Sequence, residues 1–151
     1  MGKDPSFKTL RSANLSPQEK LLIQKLKSFE APYLEEKILE KRIFQNSNEY
    51  HNAFTEFKKF MALTQLTRAS LAVLNDQVDE VWHQFILFTE EYHDFCQNIA
   101  GKYIHHSPST SSRPLPQGAK EETVYHYKRI FGKLDEQVLS EDYRRDSRCC
   151  T

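Results

Sequence analysis

The sequence predicts an all-α protein, a single-domain irregular bundle of about five to seven helices. Three observations carry this prediction. Apolar residues recur at steps of three and four, Pro, Gly and capping residues divide those stretches, and no segment shows strand-like alternation. The 151 residues are 38% hydrophobic and 12% aromatic, which suffices for one aromatic-rich core. We therefore expect a helical domain over 15–144, between flexible ends at 1–14 and 145–151.

The first two helices are predicted from capping and breaking signals. Ser16 is a good N-cap, Pro17 suits the first helical position, and Glu19 can complete a capping box. Pro32 ends this helix and opens a second one over 33–44. The inward residues at helical spacing are Leu22, Leu26 and Phe29 in the first helix and Leu34, Ile38 and Leu39 in the second.

A third helix over 48–64 carries a stripe of aromatic side chains on one face, formed by Tyr50, Phe54, Phe57, Phe60 and Met61. A cofactor box can show this pattern, but aromatics at this spacing are what helical bundles bury, so we interpret the stripe as core. A short apolar piece over 66–74 follows. Asn75-Asp76 then breaks the chain and can cap the next helix.

Residues 77–100 are predicted to form the longest helix, which would be the central element of the bundle. Its apolar residues alternate steps of three and four, which is typical of a buried seam. Gly101 is placed to end the helix. The seam consists of Val78, Trp82, Phe85, Thr89, Tyr92, Cys96 and Ile99.

The remaining chain is predicted to contain a loop and one or two helices. Residues 106–118 are rich in Ser and Pro, as loops are. A helix follows over 120–131 with Val124, Tyr127 and Phe131 inward, and Gly132 stops it. A last short helix is expected over 134–144.

Four of the six histidines lie in 78–108, together with the only tryptophan and one of three cysteines. Asp79 and His83 are four residues apart on one helix face, and Glu90 and His93 continue the same stripe. If the chain turns back after Gly101, His105 or His106 could join them, and these ligand types suit zinc. His83 and His93 lie roughly 15 Å apart on a straight helix, so both cannot bind one ion.

A purely structural interpretation stands beside the metal site. The histidines would then be hydrogen-bonded boundary residues that tie the helix to a neighbouring loop. Trp82 and Tyr92 would be packing or interaction residues, and Cys96, on the seam, would act as a small hydrophobe. Nucleophilic catalysis by Cys96 would need an orienting third group and an oxyanion site, and the sequence identifies neither.

Three motifs resemble the core signature of the glycine-rich domain-containing protein family. They are Val-Asp-Glu-Val-Trp-His at 78–83, Tyr-His-Asp-Phe-Cys at 92–96 and Ile-His-His-x-Pro at 104–108, with Tyr127 and Phe131-Gly132 downstream. The resemblance spans roughly residues 48–134 and implies a helical module without a particular activity. Two features depart from it: Phe85 replaces the second His of a Trp-His-x-His motif, which would remove one metal ligand, and the glycine-rich segment is missing.

Charge and composition exclude several classes of partner. The 21 basic and 21 acidic residues give a net charge of +0, so no field attracts nucleic acid or an anionic membrane. No apolar run could span a bilayer, and no secretory signal is visible. Three cysteines without such a signal predict reduced thiols in the cytoplasm. Membrane association is expected only through lipidation of Gly2 or of Cys149 and Cys150.

Two functions from different classes follow. The first is a small, soluble, non-catalytic helical module that contacts another protein through the rim over 79–93 and the loop over 106–118. The second is a zinc-binding protein or metal-dependent hydrolase. There His83, with His105 or His106, would hold the ion, and Asp79 or Glu90 would complete the shell or act as base.

Overall fold

The computed structural model describes residues 7–134, and this part of the chain is all-helical, as predicted. Six α-helices follow a short 3₁₀ turn, and no strand occurs between residues 7 and 134. The helices are α1 (Pro17–Ser28), α2 (Pro32–Glu40), α3 (Ser47–Leu66), α4 (Asp76–Leu87), α5 (Thr89–Ala100) and α6 (Ala119–Phe131). The predicted helix over 134–144, the tail over 145–151 and the lipidation candidates Gly2, Cys149 and Cys150 lie outside the described residues.

Helices α1 and α2 begin where the capping signals placed them. The Ser16 hydroxyl accepts a hydrogen bond from the Glu19 backbone N–H (3.1 Å), and the Glu19 carboxylate accepts one from the Ser16 N–H (2.9 Å). The predicted capping box is thus confirmed. Helix α2 ends at Glu40, before the predicted limit of 44, because Arg42 adopts a left-handed conformation with φ of 56°.

The central helix of the domain is α3, which is a correction to the prediction for 77–100. Helix α3 contacts α1, α2, α4 and α6, and its aromatic stripe is buried. Asn46 caps its start by accepting a hydrogen bond from the Glu49 backbone N–H (3.0 Å). The interpretation of that stripe as core is therefore confirmed.

The predicted long helix over 77–100 is broken into α4 and α5 at Phe88, whose φ and ψ of −83° and 72° are not helical. A straight helix over this span would be roughly 36 Å long, which exceeds the width of a small domain. The break lets both halves pack on one core. Most of the predicted seam is buried, but Thr89 is exposed and begins the second helix.

Residues 7–14 were expected to belong to a flexible terminus, and the structure shows them packed against the domain. Phe7 is buried and meets the ring of Phe131 edge-on, with 5.6 Å between ring centroids. The Leu10 N–H donates to the carbonyl of Ile130 (2.8 Å). Burial of the aromatic ring offsets the entropy lost in ordering this short segment.

Helix α6 is fastened to α3 by a buried polar network that the sequence interpretation missed. The Lys59 ammonium contacts a carboxylate oxygen of Glu56 (3.3 Å) and the hydroxyl of Tyr127 (3.1 Å). The Tyr127 hydroxyl also donates to Glu56 (2.9 Å). Because each charged group has a partner, their attraction and hydrogen bonds offset the desolvation cost of burying the network.

Two fully buried tyrosines make the fold sensitive to alkali. Tyr50 donates to the carbonyl of Ala31 (3.2 Å) and Tyr92 donates to that of Ile104. Burial raises the pKa of both phenols above the ordinary value of 10.0. Above that pH the unfolded chain loses these protons while the folded chain keeps them, so the free energy of unfolding falls as pH rises.

For each of the two tyrosines we expect this fall to be about 0.7 kcal/mol per pH unit at pH 10, where the unfolded phenol is half ionised, and to approach about 1.4 kcal/mol per pH unit at higher pH. Urea unfolding between pH 9 and 11 measures it. Tyr50→Phe should reduce the slope by about that amount, whereas Tyr125→Phe, which alters a 61% exposed residue, should leave it unchanged. Equal slopes for the two variants would contradict the prediction.

The described helices do not include a membrane span. None of them combines the length and the apolar character needed to cross a bilayer.

Candidate functional site

Three of the residues predicted as metal ligands meet at one place in the structure. Ligand atoms of Asp79, His83 and His106 all lie within 4.8 Å of one another. Nε2 of His106 is 2.7 Å from Oδ1 of Asp79, and Nε2 of His83 is 3.7 Å from Oδ2 of the same carboxylate. The Asp79 carboxylate therefore contacts both imidazoles, whose ring centroids lie 4.5 Å apart.

Helix α4 supplies two of these side chains. The Asn75 side chain caps the helix by accepting hydrogen bonds from the N–H groups of Gln77 (2.6 Å) and Val78 (3.4 Å). Asp79 and His83 follow in the first two turns and share one face, because residues four apart on a helix are neighbours. The local sequence alone therefore sets this half of the cluster.

His106 comes from the irregular segment after α5, and the core holds that segment in place. Gly101 ends α5 in a left-handed conformation with φ of 68°, as predicted from its position. The chain then returns to the start of α4, where the His106 ring packs edge-on against Trp82, with 4.3 Å between centroids. The His106 side chain is only 11% exposed, so its orientation is restricted.

Trp82, Tyr92 and Cys96, which were predicted as structural or interaction residues, anchor this return of the chain. The Tyr92 hydroxyl accepts a hydrogen bond from the Trp82 indole N–H (2.9 Å) and donates to the Ile104 carbonyl. The Ile104 N–H donates to the Cys96 sulfur (3.4 Å). Both backbone groups of Ile104 are thus satisfied in the core, two residues before His106.

The two distances to Asp79 are close to those of a tetrahedral zinc site. Zinc–ligand bonds of about 2.0–2.1 Å place neighbouring ligand atoms about 3.3 Å apart. The pair formed by His83 and Asp79, at 3.7 Å, is close to that spacing. The pair formed by His106 and Asp79, at 2.7 Å, is a hydrogen bond that would lengthen by about 0.6 Å as an ion replaced the proton.

The structure does not bring the other predicted ligands into the cluster. His93 lies on α5, beyond the break at Phe88, and its nearest carboxylate is that of Asp94 (3.9 Å). His105 is exposed and its ring packs against Tyr103, with 4.7 Å between centroids. A straight helix already kept His83 and His93 apart, and the break at Phe88 does not bring them together. The place of His105 depended on a turn that the sequence did not define.

Phe85, which stands where a second histidine was expected from the family resemblance, removes no ligand from this cluster. Its side chain is fully buried and contacts the rings of Phe57 and Tyr92. A side chain at this position points into the core, away from the face that carries Asp79 and His83.

The cluster borders an open cleft of about 660 Å³, which the sequence interpretation missed. Asp79, Trp82 and His106 line it, whereas His83 does not. Its other walls come from α3, from the segment before α4 and from residues 102–109, which only tertiary folding brings together. Lys102 and Tyr103, which stand shortly before the paired histidines in the sequence, also line it.

Removing one hydroxyl at the anchor should destabilise the domain by about 1–3 kcal/mol. Tyr92→Phe keeps the ring but leaves the Trp82 indole N–H and the Ile104 carbonyl buried without this partner. Urea unfolding at pH 7 measures the change. The matched variant Tyr125→Phe, at an exposed position, should lie within about 0.5 kcal/mol of the wild type. Similar losses in the two variants would show that Tyr92 does not anchor the segment.

A family model described as UCP032817-like matches residues 19–131, whereas no curated protein and no solved structure matches the chain. The predicted membership of the glycine-rich domain-containing protein family is therefore wrong. The motifs behind it include Trp82, Tyr92 and Ile104, which pack together in this core and do not by themselves specify that family.

Proposed function

Because the chain belongs to the UCP032817-like family, whose description names no activity, we propose its function from the site itself. The protein is a divalent-cation-binding module that binds zinc. One observation carries this proposal. Three side chains with metal-ligating atoms, two imidazoles and a carboxylate, converge within 4.8 Å beside an open cleft.

The ligand set favours zinc over magnesium or calcium. Imidazole nitrogen suits zinc and other late transition metals, whereas magnesium and calcium prefer sites built from oxygen. Two histidines and one carboxylate are a known zinc set, and three protein ligands leave a fourth position for a small molecule. The backbone of Ile104, held by Tyr92 and Cys96, would keep the His106 side chain in position to bind the ion, as supporting contacts do in metal sites.

The proposal is limited to binding and does not include hydrolysis. In a metalloprotease, for example, a glutamate beside the zinc acts as general base. Asp79 serves as a ligand in this arrangement, and Glu90, the other predicted carboxylate, is exposed on α5 and lies outside the cluster.

Zinc titration of tag-free protein tests the proposal. Calorimetry should show one zinc per chain, and magnesium at the same concentration should give no binding. His83→Ala should weaken zinc binding about a hundredfold, whereas His93→Ala, which alters an exposed histidine outside the cluster, should have no effect. Zinc binding below one equivalent, or equal weakening by both variants, would overturn the assignment.

We infer a cytoplasmic location from the reduced cysteines predicted above.

A protein-interaction role is the second candidate. The observation that favours interaction is the segment 107–117, in which every residue is exposed. Such a continuous loop is a common recognition element. If it binds a partner, replacing 109–113 with Gly and Ser should change the set of cross-linked proteins in cells. An unchanged set would exclude this segment.

A further inference from the structure

The cleft beside the cluster is lined by polar residues and by a set of apolar residues, its apolar wall. Its volume of about 660 Å³ suits a small molecule. Phe60, Leu71, Val73, Trp82 and Leu115 contribute apolar surface. Such a lining favours a ligand with an apolar body and one polar group that fixes its orientation.

The charge of the lining depends on the proposed cation. Asp76, Asp79 and Lys102 are the only residues with formal charge among those that line the cleft, so its wall carries −1 with neutral histidines. A bound divalent ion would change this to +1. A cleft that repels anions without metal would therefore attract them with metal, because the ion is the largest local charge.

An ion held by the cluster would border the same space. Asp79 and His106 line the cleft while His83 lies outside it, so an ion held by all three borders the cleft. With three protein ligands, the fourth tetrahedral position is free for an oxygen donor.

Resting on the proposed zinc site, we infer that this cleft binds a small carboxylate with an apolar body, whose carboxylate completes the coordination of the ion and whose body packs on the apolar wall. Carboxylate oxygen is a normal fourth zinc ligand. Each buried methylene adds to the affinity, so chain length should matter as well as charge.

Calorimetry with hexanoate tests this inference after zinc binding has been measured by itself. Hexanoate should bind zinc-loaded protein about tenfold more tightly than it binds metal-free protein. It should also bind zinc-loaded protein about tenfold more tightly than acetate or hexanol does. Acetate lacks the apolar body and hexanol lacks the charge. If zinc binds but hexanoate binds no better than acetate, or equally well without zinc, the inference fails and the zinc site stands. If zinc itself does not bind, both fail.

A pair of surface variants separates cleft binding from general attraction to the ion. Leu115 lines the cleft and is 41% exposed, whereas Leu87 is 65% exposed and lies outside the lining. Leu115→Ser should weaken hexanoate binding about fivefold without changing zinc affinity, and Leu87→Ser should change neither. Equal hexanoate affinity in the two variants would overturn the proposed cleft.

Discussion

Replacing His106 with alanine is expected to weaken the proposed zinc binding about a hundredfold or more. Loss of a residue that merely supports a metal ligand costs 10–100-fold in affinity, and loss of a ligand should cost at least as much. His106 is also the member of the cluster that the core holds most firmly, through Ile104 and Trp82. Isothermal titration with zinc, or competition against a chelator, measures the change.

The single tryptophan provides a second readout of the same substitution. The rings of Trp82 and His106 are in contact, so zinc on His106 should change the tryptophan emission of the wild type and leave that of His106→Ala unchanged. Zinc at about a hundred times its Kd should also add about 2.7 kcal/mol to the free energy of unfolding, and the variant should lose this gain. The neighbouring variant His105→Ala should behave as wild type; if it loses zinc equally, the assigned ligand is wrong.

Replacing Phe85 with alanine should destabilise the domain by about 3–5 kcal/mol. Its ring is fully buried and packs against those of Phe29, Phe57 and Phe95, so truncation leaves a cavity that rigid aromatic neighbours cannot fill. Since a small domain is stable by only about 5–15 kcal/mol, this loss is a large fraction of the total.

Urea unfolding followed by far-ultraviolet circular dichroism measures the loss at Phe85. Leu87→Ala is the matched control, because Leu87 stands two residues away on the same helix and is 65% exposed. It should change the free energy of unfolding by no more than about 0.5 kcal/mol. If Phe85→Ala changed the free energy of unfolding as little as this control does, position 85 would not belong to the core. Core packing would then not explain why Phe stands at the position where a histidine was expected.

Several helix boundaries could be predicted from the sequence because local chemistry sets them. The capping box at Ser16, the Asn75 cap and the glycine at 101 each act within one helical turn, and each is observed. The break at Phe88 could not be predicted this way. No proline or glycine marks it, and it depends on how the two halves pack around one core.

The candidate site also has one part that the sequence predicts and one part that it does not. The pairing of Asp79 with His83 was predictable, because four residues along a helix bring side chains together. The choice of His106 over His105 was not predictable. The two residues are adjacent in an irregular segment, and the sequence does not show which of their side chains points toward Asp79. The anchor formed by Tyr92 and Cys96 on Ile104 sets that direction.

The sequence by itself determined the all-helical class, most helix starts and the identity of the aromatic core, since periodicity and capping act over a few residues. Only the tertiary structure decided that α3 is central, that 77–100 bends, and that His106 but not His93 meets Asp79. These outcomes depend on contacts between residues distant in the chain. Burial of the apolar surface as a whole selects them, and no local pattern encodes that selection.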